Sequence, residues 1–395
     1  MTIKTRVLFL FLILLISLGV GCSDDVTSPS TDPDTLLTVH FHEYFLPGGP
    51  AESLIFASDL QGNLLAEAFF SGETTVVLKN STVHPDSISF TIVTYSEWNM
   101  GLKTEMGVPF GAERSFGDNR RYPPDGFAEV ALLNAPDCDQ YWFTSNSSSV
   151  GSPGHVPSRV MPGIMGESTD CFLSAHPLDS PPIGAWLRDV HVDDTDTLDF
   201  AEPGVFSPLI IHPILIPAGG GILLASLNND SPSAPERDKL LFDHQRFEHS
   251  IPDTLFLHGP DIDIQEQRTY LSMFIVGYPH TDYTMTKWGS LPSAFTKMDG
   301  QLSIAGASPD SFAFASTGSW ESFQCHWSQE LQINSMWFIE GPSSIQSFSL
   351  PRFPPSFTDL FPDYVRQGYE LDSIEIFTGS SGDLIQSQGI FIPVY

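Results

Sequence analysis

Apolar and polar residues alternate one by one through most of this chain. Leu37, Val39 and Phe41 alternate with Thr38, His40 and His42. The segments SLIFAS (53–58) and LLAEAFF (64–70) flank DLQGN, where Gly62 is placed for a turn, and TTVVLK and SISFTIVTY follow. A period of two sets successive side chains on opposite faces of a strand, so this region predicts a run of β-hairpins. Similar segments predict strands at 128–134, 270–278, 301–306, 311–317, 335–341, 372–379 and 389–395. The unbroken apolar run PLIIHPILIP (208–217) predicts a central strand, with Pro213 as a local break or bulge.

Two segments carry a helical period instead. SAPERDKLLFDHQRFEH starts at Ser233 with Pro235 near its start and Glu236 three residues on, the spacing of a capping box. Leu240, His244 and Phe247 would then share one face. A second short helix is predicted over 356–366, ending at Gly368. The sum is an all-β protein of two or three antiparallel β-sandwich modules with one or two short helices, since antiparallel sheets bury one face and wet the other. SGETTVVLKNSTVHPDSISFTIVTYSEW (71–98) echoes DGQLSIAGASPDSFAFASTGSW (299–320), with Asp86 and Asp310 in matching places. That echo predicts two modules, 37–200 and 201–395, divided after the acidic stretch VDDTDTLDFAEPG.

The first forty residues break the pattern. Lys4 and Arg6 precede an apolar run from Val7 to Ile16, the n-region and h-region of a secretory signal and too short for a membrane span of about 20 residues. Gly19, Val20 and Gly21 then lead to Cys22. This order resembles the lipobox of bacterial lipoproteins. The resemblance implies cleavage after residue 21, lipidation of Cys22, and an acyl hold on a membrane. Ser23 in place of Asp resembles the pattern of release to the outer membrane, and Ser23-Asp24-Asp25 resembles an acidic surface-export signal. Residues 22–36 are then a tether, too poor in apolar residues to offset their ordering entropy.

Composition agrees. Charged residues are 16% of the chain, too few for long amphipathic helices, whereas Phe occurs 30 times. The net charge of −31 becomes −33 without Lys4 and Arg6, which excludes nucleic acid as a partner and disfavours anionic head groups. Beyond Cys22 the cysteines are Cys138, Cys171 and Cys325. Cys138 and Cys171 flank a Ser/Gly/Pro-rich stretch, and closing it by a disulfide would stabilise by roughly 3–4 kcal/mol in the loop-entropy model. Cys325 is then a buried free thiol. The spacing matches no zinc signature.

Candidate chemistry is sparse. His40 and His42 on one strand face could offer two imidazoles to a metal. Asp193, Asp194, Asp196 and Asp199 offer oxygens suited to Ca²⁺, though without the Gly and terminal Glu of an EF-hand loop. DHQRFEH holds Asp243, His244, Glu248 and His249 but lacks the order of a zinc-protease HExxH. GESTD (166–170) is not a hydrolase nucleophile elbow, and AGGGI (218–222) is not a phosphate loop. Of seven Trp residues, Trp142 and Trp288 stand in polar, loop-like surroundings and are candidates for contact with a sugar or other ligand. The leading expectation is a non-enzymatic envelope lipoprotein that binds a carbohydrate or protein partner through loops of its β modules. A glycan hydrolase using two facing carboxylates, or a structural subunit of an envelope assembly, are the alternatives.

Overall fold

A computed structural model describes residues 32–41, 53–70, 75–95, 99–116, 124–219, 221–229, 240–261, 267–275, 280–329, 334–379 and 384–392. The expected signal, Cys22 and the tether up to residue 31 lie outside these residues, and the end of the expected tether is not a linker: Thr35 and Leu36 are buried in the strand Thr35–Phe41. The described chain is all-β, with one short α-helix at Pro355–Leu360 and a single 3-10 turn at Arg366–Gly368. No helix among the described residues is long and apolar enough to cross a membrane.

Two compact units form, and neither is one continuous segment. The first joins residues 1–120 with 303–315 and 323–373; the second joins 121–302 with 316–322 and 374–395. Residue 200 falls inside the second unit rather than between the two. The sequence echo also has no structural counterpart. Thr75–Lys79 and Ser87–Tyr95 lie in different sheets, whereas Leu302–Ser308 and Ser311–Ser316 are neighbours in one sheet.

In the first unit, Leu64–Phe70, Ser53–Ser58, Ser87–Tyr95, Asn99–Pro109 and Asn334–Pro342 lie side by side in that order. The last pair is parallel, running from Asn334 opposite Asn99 to Glu340 opposite Glu105. A three-stranded sheet of Thr75–Lys79, Thr35–Phe41 and Ala112–Phe116 packs over the other strands. Leu37, Val39 and Phe41 interleave there with Ile55, Phe70, Ile88 and Phe90, and Phe41 stacks on Phe70 at 4.4 Å. Each such side chain contributes about 1.5–3 kcal/mol by leaving water. Gly62 makes the hairpin between Ser58 and Leu64 at φ +79°, where a Cβ would stand 2.6 Å from the Leu350 carbonyl oxygen. Trp337 is fully buried and donates its indole N–H to Thr104 Oγ1 at 2.8 Å.

The second unit holds a five-stranded antiparallel sheet of Ser149–His155, Asp137–Thr144, Ser168–Pro177, Ile183–His191 and Ser207–Pro208. It also holds the consecutive strands Leu240–Glu248, Gly221–Asn229, Gln267–Ile275, His280–Trp288 and Leu384–Phe391. Phe172 of the first set packs edge-on against Phe242 of the second at 5.0 Å, inside a core with Leu223, Leu227, Leu271 and Met273.

Two expected elements differ. Residues 240–248 are a strand, not the second half of a helix, because Leu240 and Phe242 find this core on one sheet face; Ser233, Pro235 and Glu236 lie outside the described residues. The apolar run at 208–217 is not central. Ile210–Leu215 pairs along its length with Thr254–Gly259 in a two-stranded ribbon, and Leu215 adds one parallel bridge to Ala294. Ile214, Leu255 and Leu257 face the core, while Ile211, Leu215 and Phe256 face outward.

Candidate functional site

The convergent group of metal-ligating side chains among the described residues is His176, Asp243 and His258, all in the second unit. Each comes from a different sheet pairing. His176 lies on Ser168–Pro177, directly across from Gln140. His258 lies on Thr254–Gly259 of the ribbon, across from Ile211. Asp243 owes its position to a bulge. Leu227 pairs with Asp243 but the next residue, Asn228, pairs with Leu241, so Phe242 is extra. An extra residue re-aims the side chains around it. Phe242 and Asp243 are consecutive, yet both are fully buried.

The Asp243 carboxylate is surrounded by donors. The His258 backbone N–H reaches Oδ2 at 2.8 Å and its ring Nδ1 lies 3.1 Å from the same oxygen. Gln245 Nε2 donates to Oδ2 at 2.9 Å, and Gln140 Nε2 to Oδ1 at 3.4 Å. His176 Nε2 stands 3.9 Å from Oδ1 and is buried with no hydrogen-bond partner, while its Nδ1 lies 3.4 Å from Gln140 Nε2. The two imidazoles meet edge to face at 4.7 Å. Burial holds the His176 pKa below the ordinary imidazole value, against the pull of Asp243. His212, on the other ribbon strand, is lowered first by burial and then by the charge of His258.

Trp142 borders this group. Two residues along from Gln140, it packs edge-on against His244 at 5.5 Å, and its ring lies against Gly151. It is a half-buried strand residue, not an exposed loop aromatic. Trp288 is likewise in a strand, opposite Arg268, with its indole N–H buried and unpartnered.

A second carboxylate group sits in the same unit, on the polar face of Gln267–Ile275, His280–Trp288 and Leu384–Phe391. Asp282 lies opposite Gly389, and a β-carbon on Gly389 would stand 3.7 Å from both Asp282 Cβ and Glu375 Cγ. Asp282 is buried and Glu375 half-buried. Ser272 donates to Asp282 at 3.1 Å, and Ser387 donates to Glu375 and meets Thr284. Burial, then the neighbouring Glu375 charge, pushes Asp282 up to about 8; burial pushes Glu375 up to about 7.

The other expected sites are not assembled. Asp193 and Asp194 occupy a turn and Asp196 and Asp199 a strand, where three residues span about 10 Å. Asp194 accepts from the His191 N–H at 2.8 Å and Asp199 from Asn134 at 2.8 Å, so these carboxylates serve the local backbone and loop. His40 lies 3.1 Å from Thr75 Oγ1 and 3.6 Å from Glu113; His42 is outside the described residues. Cys138 and Cys171 are free thiols. Cys138 pairs with Pro177, six residues along the strand from Cys171, a separation of roughly 20 Å that no disulfide spans. Burial pushes Cys171 up to about 12, and Cys325 is a buried free thiol.

Sequence reasoning named Asp243 but placed it on a helix, and missed His176 and His258. The usable signal was Asp243 itself, a charged residue inside the apolar run LLFDHQRF. No family model matches this chain, and no curated protein matches it. Among solved structures it is similar to one described as a tetra-tandem repeat in the extending region of a large adhesion protein. That match has 10% identity and a TM-score of 0.13, covering 91% of this chain and 100% of the other.

Proposed function

We propose that this is a lipid-anchored envelope protein that binds another envelope protein without turning it over. The observation that carries the binding role is the outer face of the ribbon Ile210–Leu215/Thr254–Gly259. Ile211, Leu215 and Phe256 are 52%, 60% and 51% exposed there, and Phe256 pairs with Pro213 between the other two. Clustered apolar exposure of this kind marks protein–protein contact surfaces. The surface is strand-built rather than formed by loops. The net charge of −33 beyond Lys4 and Arg6 selects against strongly acidic partners. The address rests on Lys4, Arg6, the apolar run and Gly19-Val20-Gly21-Cys22.

Two experiments test this. Capture from envelope extracts is run with the full chain and with Phe256→Ser and Leu215→Ser. The reading expects a partner whose recovery drops at least ten-fold in both variants at unchanged melting temperature. Equal recovery with wild type and variants contradicts it, and retention on a glycan array instead would move the role to carbohydrate. Labelled palmitate should enter the wild-type chain and not Cys22→Ser; no incorporation into the wild type overturns the anchored address.

A further inference from the structure

Asp243 is fully buried, and its ion partners among the described residues are two imidazoles, with no Lys or Arg among them. A buried carboxylate paired with neither proton nor cation is costly. Dipoles from Gln140, Gln245 and the His258 N–H offset part of that cost. His176 Nε2 adds a second unmet requirement, since it is buried, unpartnered and 3.9 Å from Asp243 Oδ1. The three ligand atoms lie within 4.8 Å of one another. Donors around a zinc ion at about 2 Å are about 3.3 Å apart, so rotation of the side chains closes the group without moving the strands.

We infer that His176, Asp243 and His258 form a binding site for a divalent transition metal of the zinc type. Two imidazoles and one carboxylate are borderline donors, which favour zinc over the all-oxygen preference of calcium and magnesium. The residues around the group are those a metal site needs. Gln140 Nε2 sits 3.4 Å from both His176 Nδ1 and Asp243 Oδ1, so one amide touches two of the three ligands from outside the site and fixes their mutual position. Gln245 and the His258 N–H hold Asp243 Oδ2, leaving Oδ1 toward His176. When the His258 ring binds through Nδ1 its proton resides on Nε2, so a neutral ring binds without net proton loss. Three protein ligands leave a fourth position open to water or to an external donor. The site does not depend on the apolar ribbon face as a docking surface, and the two proposals fail separately.

The test uses the untagged full chain, stripped with a chelator and then titrated with Zn²⁺ against a competing indicator. The expected result is one high-affinity equivalent, and a melting temperature raised by about 5 °C or more at a hundred-fold excess over Kd. Ca²⁺ and Mg²⁺ should give no such rise. His176→Gln and His258→Gln should each weaken Zn²⁺ binding at least ten-fold, and Asp243→Asn should abolish it. If Asp243→Asn does not fold, the two histidine variants decide. Co²⁺ substitution gives a second readout, with visible absorption expected in the wild type and lost in His176→Gln. Absence of a zinc-dependent melting shift, or stoichiometry and affinity unchanged in both histidine variants, overturns the inference.

Discussion

Asp243 and Asp282 set the same electrostatic problem within one unit. Both are buried carboxylates in a single sheet run, on Leu240–Glu248 and His280–Trp288 with Gly221–Asn229 and Gln267–Ile275 between them, and neither has a Lys or Arg as an ion partner among the described residues. Their surroundings differ in kind. Asp243 faces amide and imidazole groups from three separate pairings, a donor set suited to a negative charge or to a cation. Asp282 faces Ser272 and a second carboxylate, Glu375, across Gly389. Two carboxylates so placed cannot both ionise cheaply, and the proton is the available neutraliser. Burial alone therefore does not announce a binding site. What distinguishes one is the direction in which the neighbouring donors and acceptors point.

The sharpest way to break this comparison is to substitute both residues and measure stability without metal. Asp243→Leu strands the His258 N–H and leaves the Gln245 amide only the Phe256 carbonyl as acceptor, and should cost about 3 kcal/mol in chemical unfolding at pH 7. A cost near zero would mean that the surrounding donors are met elsewhere. Asp282→Asn keeps the shape of a protonated carboxyl, so it should cost little at pH 5.

The pH dependence sharpens the same contrast. The folded-state values of Asp282 and Glu375 are raised above the ordinary 3.8 and 4.5. Between the ordinary and raised values the folded chain holds protons that the unfolded chain has released. Their stabilising contribution is therefore full below about pH 4 and is lost as pH rises to about 8. Wild-type unfolding free energy should lose about 1–2 kcal/mol over that window beyond what Asp282→Asn loses. Parallel pH profiles would show that the pair is ionised in the fold.

Smaller effects follow at the surface and the thiols. Phe256→Ser removes an exposed ring with no core role, so stability should move by less than about 0.5 kcal/mol while partner capture falls. A loss above about 2 kcal/mol would place Phe256 in the core. Reductant should leave the melting temperature unchanged, since Cys138, Cys171 and Cys325 are free. A drop on reduction would restore the disulfide expected from sequence spacing.

The fold was largely legible because a period of two survives in Thr75–Lys79 and Gly221–Asn229, where one face is buried; Ser87–Tyr95 keeps the alternation in its sequence although Ser89 and Thr91 are buried with Phe90 and Ile92. It misled at Leu240–Glu248, where Leu240, His244 and Phe247 fall at helical spacing and a bulge disturbs the alternation that would have marked a strand. It misled again at Ile210–Leu215, where apolar residues on both faces suggested burial on both. The candidate site was barely legible. Asp243 and His258 are 15 residues apart and His176 is a further 67 upstream, brought together only by the stacking of separate strand pairs. No local spacing encodes that meeting.

X-ray absorption at the zinc edge of the full chain carrying one equivalent of Zn²⁺ tests the central contrast most directly. The account predicts a shell of two imidazole nitrogens and one carboxylate oxygen at about 2.0–2.1 Å, with one imidazole lost in His176→Gln. A first shell containing sulfur, or one without imidazole scattering, would place the ion away from Asp243 and contradict it.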